Sequence, residues 1–399
     1  MRNKKTITFT QAAKSASNSA AFSAMVKPVG SACNLHCAYC YYIDKEILHN
    51  RGVMSMEMLE TFIRQYIEGN TVAEITFCWH GGEPLLAGLP FYRRALELQA
   101  KYAGDKKIIN TLQTNGTLID KEWATFFAAN DFLVGISIDG PQEVHNATRG
   151  NSFASVMRGV ECLQSADVQF NTLSAVSSVS AGRGVEIYRF LKSIGSRYIQ
   201  FLPVQEFKEG SLIVAPAKGA VADFSIEASQ WGRFNIDVFE EWVVGDVGET
   251  FVQLFDATLA NYCGVMAGIC SLNESCGDAL VVEYTGDTYS CDHFVYPEYR
   301  LGNIGERSLA SMFSSAEQFR FGAAKYAALS ADCLSCQFLN LCHGECPKHR
   351  DALGRSVLCE GYKMFFRFTR PYFEFMREGL SRERPASTVI PFARHRMGI

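Results

Sequence analysis

The chain has 399 residues, 48% of them hydrophobic and 20% charged, with a formal net charge of -4, the balance of a soluble globular protein of about two to three domains. The slight acidity excludes a global attraction to nucleic acid or to an anionic membrane surface, and no apolar run reaches the ~18 residues a membrane span needs. Fourteen cysteines without the apolar core of a signal peptide place the protein in a reducing compartment, the cytoplasm, and favour metal ligation over disulfides.

Residues 1–24 read as a flexible lead-in. From Met25 to Val204 short β-branched stretches alternate with helical patterns, the signature of βα units around a parallel sheet. Strands are expected at Met25–Val29, Glu74–His80, Ile108–Gln113, Leu133–Ile138, Gln169–Val176 and Tyr198–Val204. Helices are expected at Met56–Ile67, Phe91–Tyr102, Lys121–Ala129, Ser155–Gln164 and Val185–Ser193. Six units make a partial (β/α)6 TIM-type barrel over 25–250, open on one side, with functional residues on the loops after the strands. Glu206–Ala222 reads as a loop or insertion. Trp231–Val244 and Thr250–Asn261 are helical and lead into a small cysteine-rich domain at 251–380. That domain holds a hairpin at Leu280–Ser290 and ends in an aromatic-rich helix, Phe365–Leu380. Residues 381–399 read as an exposed tail.

The first strand is followed by Cys33-x3-Cys37-x2-Cys40. Three thiolates cannot close a four-iron cluster, so one iron keeps an open position, the mark of a catalytic rather than a structural site. Other strand ends carry His80-Gly81-Gly82-Glu83-Pro84, Gln113-Thr114-Asn115-Gly116 and Ser137-Ile138-Asp139-Gly140-Pro141, with Arg149 shortly after. Singly each is a turn; in series at one face they read as the lining of a site, with paired glycines that let backbone approach a ligand. The second half contains Cys270-x5-Cys276-x9-Gly286-x4-Cys291, then Cys333-x2-Cys336-x5-Cys342-x3-Cys346 and Cys359. This array suffices for two four-thiolate sites, and spacing alone leaves zinc and iron-sulfur about equally open. The incomplete triplet tips the balance to iron. Cys78, Cys162 and Cys263 remain as small apolar or incidental thiols.

These motifs resemble a known superfamily. Cys33-x3-Cys37-x2-Cys40 and the Gly-Gly-Glu-Pro element resemble radical S-adenosylmethionine enzymes, and the later cysteines resemble the SPASM auxiliary-cluster domain. Gln113–Leu118, Val134–Pro141, Cys291-Asp292 and Leu301–Ile304 are similar to the anaerobic sulfatase-maturating enzymes, radical SAM oxidoreductases that convert a cysteine or serine of a sulfatase into Cα-formylglycine. The resemblance implies three 4Fe-4S clusters and S-adenosyl-L-methionine as cofactors. Cys33, Cys37 and Cys40 would hold the catalytic cluster. Cys270, Cys276, Cys291 and Cys346 would hold the first auxiliary cluster, and Cys333, Cys336, Cys342 and Cys359 the second. Tyr39, Gly82, Ser137 and Arg149 would contact S-adenosylmethionine, and Asp292 would be the catalytic base. His80 stands where some relatives carry Gln. Implied partners are an unfolded or nascent sulfatase polypeptide and a flavodoxin- or ferredoxin-like reductant. Competing readings are another SPASM enzyme that forms thioether or carbon-carbon crosslinks, and a non-catalytic iron-sulfur or zinc protein.

Overall fold

The structure is a computed structural model that describes residues 21–42, 52–207 and 221–399. Most of the expected lead-in, and most of the expected loop at Glu206–Ala222, lie outside the described residues.

Strand β1 (Ser23–Lys27) is followed by β2 (Glu74–Trp79), β3 (Lys107–Thr114), β4 (Leu133–Ser137), β5 (Phe170–Val176), β6 (Tyr198–Pro203) and a two-residue β7 (Phe251–Val252). These seven pair in parallel and in sequence order, which gives the expected partial barrel. Helices cover its outer face. The helix Met56–Gly69 begins where the Ser55 side chain accepts a hydrogen bond from the Met58 amide, and it buries Leu59, Phe62, Ile63, Tyr66 and Ile67. Their i, i+3, i+4, i+7, i+8 spacing forms one apolar stripe. It packs on Phe77 and Trp79, rings of β2 that point outward. Asp120 caps the helix Lys121–Ala129 through the Trp123 amide in the same way.

Three differences from the sequence expectations have physical causes. Strand β1 starts two residues early and ends at Lys27, because Gly30 turns the chain at φ +58°. The segment expected to be helical from Thr250 first contributes β7, whose Phe251 amide bonds to the Arg197 carbonyl. The expected exposed tail is wrong: Ala386–Thr388 form a 3-10 turn and Val389–Met397 a helix. There Val389 and Ala393 are fully buried, Phe392 stacks on Phe375 at 4.6 Å, and Arg394 Nε donates to the Val244 carbonyl at 2.8 Å.

The cysteine-rich segment adds β8 (Ala279–Glu283), β9 (Asp287–Tyr289) and β10 (Arg300–Asn303). β8 pairs in parallel with β1, and β9 and β10 follow antiparallel, so one ten-stranded sheet runs β10-β9-β8-β1-β2-β3-β4-β5-β6-β7. The hairpin expected at Leu280–Ser290 is thus an extension of the barrel sheet. Across the β1–β8 register Lys27 stands opposite Glu283.

The C-terminal helix, Cys359–Leu380, docks along the helix Ala228–Val243. Gly232 and Gly361 permit the contact: a Cβ on Gly361 would lie 2.1 Å from the Ala228 carbonyl oxygen. Phe239, Phe255, Phe365 and Phe373 close the core between them.

Candidate active site and cluster-binding cysteines

The three-cysteine loop leaves β1 and is fixed by backbone bonds to the Gly-Gly-Glu-Pro turn. The Gly82 amide donates to the Gly30 carbonyl and the Glu83 amide to the Ala32 carbonyl, both at 2.8 Å. Gly81, at φ +121°, and Gly82 are required here by protein backbone: a Cβ on Gly82 would sit 2.1 Å from the Ala32 carbonyl oxygen. The glycine pair therefore lets β2 approach the cysteine loop itself. Glu83 is fully buried and accepts from the Leu85 and Asn115 amides and the Thr114 hydroxyl. Burial nonetheless pushes its carboxyl up to about 7. Asn115 Nδ2 donates to Asn34 Oδ1 at 2.9 Å and reaches Cys33 Sγ at 3.7 Å, so the end of β3 is clamped to the same loop.

On the other side Asp139, at the end of β4, accepts from Tyr39 Oη at 2.7 Å, Arg149 Nε at 2.9 Å, Thr148 Oγ1 at 3.0 Å and the Ala175 amide at 3.0 Å. Burial would raise its pKa, but the Arg149 guanidinium and these donors hold it below the ordinary carboxylate value. Arg149 Nη1 stands 4.0 Å from Cys37 Sγ. Beside it an open cleft of about 470 Å³ is lined by Asn34, His36, Thr117, Arg149 and Ser152. Ser137 accepts from Gln113 Nε2 at 3.0 Å on the barrel's inner face.

Asp292 follows β9 and Cys291, and the β1–β8 pairing carries it over the barrel mouth. Lys27 Nζ lies 2.5 Å from Asp292 Oδ1 and Tyr41 Oη donates to Asp292 Oδ2 at 2.6 Å. Lys27 also lies 3.4 Å from the centre of the Tyr42 ring, and the Tyr42 hydroxyl donates to Glu283. Burial would raise the Asp292 pKa; Lys27, His80 and His293 outweigh it and hold the carboxylate ionised, far below its usual range. His80 is lowered by burial and accepts from the Gly81 amide at its Nδ1.

The thiols fall into the three sets that the motifs suggest. Cys33, Cys37 and Cys40 are half-buried and within electrostatic reach of one another. Cys270, Cys276, Cys291 and Cys346 likewise influence one another. Cys333, Cys336, Cys342 and Cys359 line one hollow with Tyr362 and Phe366. Burial pushes Cys37 and Cys276 up to about 11 and Cys291 and Cys342 up to about 12. Desolvated thiols in groups of three and four give up their protons readily only to metal. Among the described residues no three His, Cys, Asp or Glu side chains converge on a single ion. A ring of thiols around a hollow, as at Cys333, Cys336, Cys342 and Cys359, fits a cluster with several irons, each taking one sulfur. Cys78, half-buried on β2, lies within electrostatic reach of Asp292 and Lys27.

The sequence reading missed Lys27, Tyr41, Tyr42 and Glu283, and it placed Glu83 and Asp139 in the lining without giving either a role. Two signals were present: a lysine ending an otherwise apolar strand, and two tyrosines immediately after the last cysteine of the triplet.

Residues 28–179 match the radical SAM superfamily, and residues 270–337 match an iron-sulfur cluster-binding domain, SPASM. The chain is 44% identical over 387 residues to a serine-type anaerobic sulfatase-maturating enzyme of Bacteroides thetaiotaomicron, covering 92% of this chain and 94% of that one. It is 33% identical over 369 residues to a cysteine-type enzyme of Clostridium perfringens, covering 88% and 96%. A solved structure of native anSMEcpe with bound AdoMet and the Cp18Cys peptide superimposes with a TM-score of 0.81 at 32% identity, over 90% of this chain and 99% of that one. The streptococcal SuiB, bound to its precursor peptide SuiA, shares the fold with a TM-score of 0.62 at 15% identity. With three thiol sets in the places the motifs predict and this similarity over nearly its full length, the chain belongs to the anaerobic sulfatase-maturating enzymes of the radical SAM superfamily.

Proposed function

We propose that this protein oxidises a serine of an unfolded or nascent sulfatase polypeptide to Cα-formylglycine without oxygen. The observation that carries the reading is the Tyr41–Asp292 contact of 2.6 Å. It joins the residue after Cys40 to the residue after Cys291, so hydrogen removal and proton acceptance meet at one place. Serine as target is supported by 44% identity to a serine-type relative against 33% to a cysteine-type one.

Cys33, Cys37 and Cys40 hold the catalytic 4Fe-4S cluster, and S-adenosylmethionine bound there supplies hydrogen-atom abstraction from the target's β-carbon. Tyr39, Gly82, Ser137 and Arg149 frame the cofactor: Gly82 keeps the loop in place, and Arg149, its Nε tied to Asp139 and its Nη1 beside Cys37 Sγ, brings a fixed positive charge to a carboxylate bound next to the triplet. Asp292 accepts the target's hydroxyl proton. As the remaining electron leaves, that hydroxyl becomes the strongly acidic proton of a protonated carbonyl, so a fully ionised, weakly basic carboxylate suffices. Cys270, Cys276, Cys291 and Cys346, and Cys333, Cys336, Cys342 and Cys359, would hold two auxiliary clusters, which would supply an acceptor for the remaining electron. A flavodoxin- or ferredoxin-like protein serves as reductant. The fourteen free cysteines fit the cytoplasm, and among the described residues no helix is long and apolar enough to cross a membrane.

The test is anaerobic incubation of reconstituted protein with S-adenosylmethionine, a reductant and paired sulfatase-motif peptides bearing Ser or Cys. Mass spectrometry should show a loss of about 2 Da from Ser, and about 18 Da from Cys after hydrolysis, as the oxidation requires. A crosslinked product or no 5′-deoxyadenosine would overturn the reading.

A further inference from the structure

Two cations are buried beside the Cys270, Cys276, Cys291 and Cys346 set. Lys325 and Arg350 are each only 1% exposed. Lys325 Nζ donates to the carbonyls of Cys270 at 2.7 Å and Ser271 at 2.9 Å, and to that of Asn273. Arg350 donates through Nε to the Gly344 carbonyl at 2.8 Å and through Nη1 to the carbonyl of Lys325 itself at 2.6 Å. Its Nη2 reaches the His343 and Glu345 carbonyls. Carbonyls satisfy the donors without cancelling the charge, and a buried cation costs several kcal/mol unless an anion opposes it.

Among the described residues neither cation forms an ion pair with a carboxylate. The buried carboxylate near both is Glu345, and its oxygens are engaged by His349 Nδ1 at 2.9 Å and by Ser356 Oγ at 3.0 Å. Half-buried Asp278 also acts on Lys325 but forms no ion pair with it among the described residues, so both buried cations lack a contacting carboxylate and face sulfur: Cys270, Cys276 and Cys346 act on Lys325, and Cys276, Cys346 and Cys333 on Arg350. The other four-thiol set is surrounded differently. Apart from Arg350, which Cys333 also reaches, its cations Lys363 and Arg355 are partly exposed and face Glu360 and Asp332 across 3.0 and 3.8 Å.

We propose that Lys325 and Arg350 are built-in counter-charges that make the first auxiliary cluster the easier of the two to reduce, so that it receives the electron leaving the substrate. The proposal rests on the assignment of the eight cysteines to two clusters. Reduction adds one negative charge to a cluster, and net local charge is among the factors that set its potential. Lys325 also holds the turn carrying Cys270, which makes it a positioning residue as well as a charge.

The experiment is an EPR-monitored redox titration of the full-length reconstituted enzyme, with iron counted in each variant. Cys276→Ala identifies the first auxiliary signal by its disappearance; if all three clusters survive that change, the ligand assignment is wrong, independently of the charges. Lys325→Met should keep its iron and lower that one midpoint by a tenfold or larger change in the reduction equilibrium, about 59 mV for one electron. Arg350→Met should move it the same way, and Lys325→Arg should restore it. Loss of the cluster in Lys325→Met but not in Lys325→Arg also supports the counter-charge. Unchanged midpoints with full iron, or equal cluster loss in both lysine variants, would overturn it.

Discussion

Lys27 Nζ and Asp292 Oδ1 are 2.5 Å apart, although 265 positions separate them in the chain. Strand pairing brings them together: β8 lies against β1, and the β8–β9 hairpin turns Asp292 back over Lys27. Lys27 is 1% exposed, so removing one partner leaves a charge in a dry place. Lys27→Met should destabilise the protein by about 3–5 kcal/mol, the usual result of breaking a buried pair. Lys27→Met with Asp292→Asn should recover part of that loss, because the stranded carboxylate is gone. Urea denaturation of the four proteins tests this; additive losses would mean that the pair carries no coupling.

Asp292→Asn also addresses chemistry, although it leaves the Lys27 charge without its partner. The amide keeps the Tyr41 contact but cannot take a proton. Formylglycine formation should fall about 100- to 10,000-fold, the usual worth of general-base assistance, while cluster content and S-adenosylmethionine binding persist. Product measured by mass spectrometry and iron by colorimetry separate the two effects, and undiminished turnover would remove Asp292 from the mechanism.

The Gly82 contact makes a sharper structural prediction. A Cβ there would press on the Ala32 carbonyl, and neither backbone can yield without moving Cys33. Gly82→Ala should lose the catalytic cluster and keep both auxiliary ones. Iron analysis with EPR would show one cluster missing; a full complement would mean that the loop has slack.

Glu83 gives the pH dependence. Its folded pKa, about 7, lies above the ordinary value of 4.5, so the fold prefers the protonated form. The stability it contributes is complete below pH ~4.5 and is lost as pH rises through ~7, a swing of roughly 3 kcal/mol. Glu83→Gln stays neutral and should flatten that part of the profile, at the cost of one acceptor. Thermal melts between pH 4.5 and 8 on both proteins test the sign.

The first cysteine set was legible because ligand spacing is a local property: a loop of eight residues carries Cys33, Cys37 and Cys40 together, whereas the division of the eight later cysteines joins distant positions and came from the family resemblance. The six βα units were legible for the same reason, since each is a short periodic segment. Pairing of Val26 with Val282 was not, because nothing local in either strand names its neighbour. With that pairing went Lys27, Tyr41, Tyr42 and Glu283 as partners of Asp292. The helix Val389–Met397 was hidden by composition: Arg382, Arg384, Arg394 and Arg396 outweigh the few residues, Val389, Phe392 and Ala393, that face the core. The glycine pair was recognised as a close approach but assigned to a ligand, and the steric demand came from the neighbouring loop.

Arg149 and Asp139 set the last prediction. Asp139 gathers Tyr39, Thr148, the Ala175 amide and Arg149 Nε, so the guanidinium is anchored by one edge and presents its Nη groups outward. A lysine has a single ammonium and cannot hold Asp139 and a ligand carboxylate in this fork geometry. Arg149→Lys should therefore keep the cluster and weaken S-adenosylmethionine binding by about tenfold or more, one charge-assisted hydrogen bond's worth. Asp139→Asn should also weaken it with Arg149 intact, because the anchor is loosened and Tyr39 with it. Equilibrium dialysis with labelled S-adenosylmethionine reads both. If Arg149→Lys bound normally while Asp139→Asn did not, Arg149 would serve only to fix Asp139, and another group would hold the carboxylate.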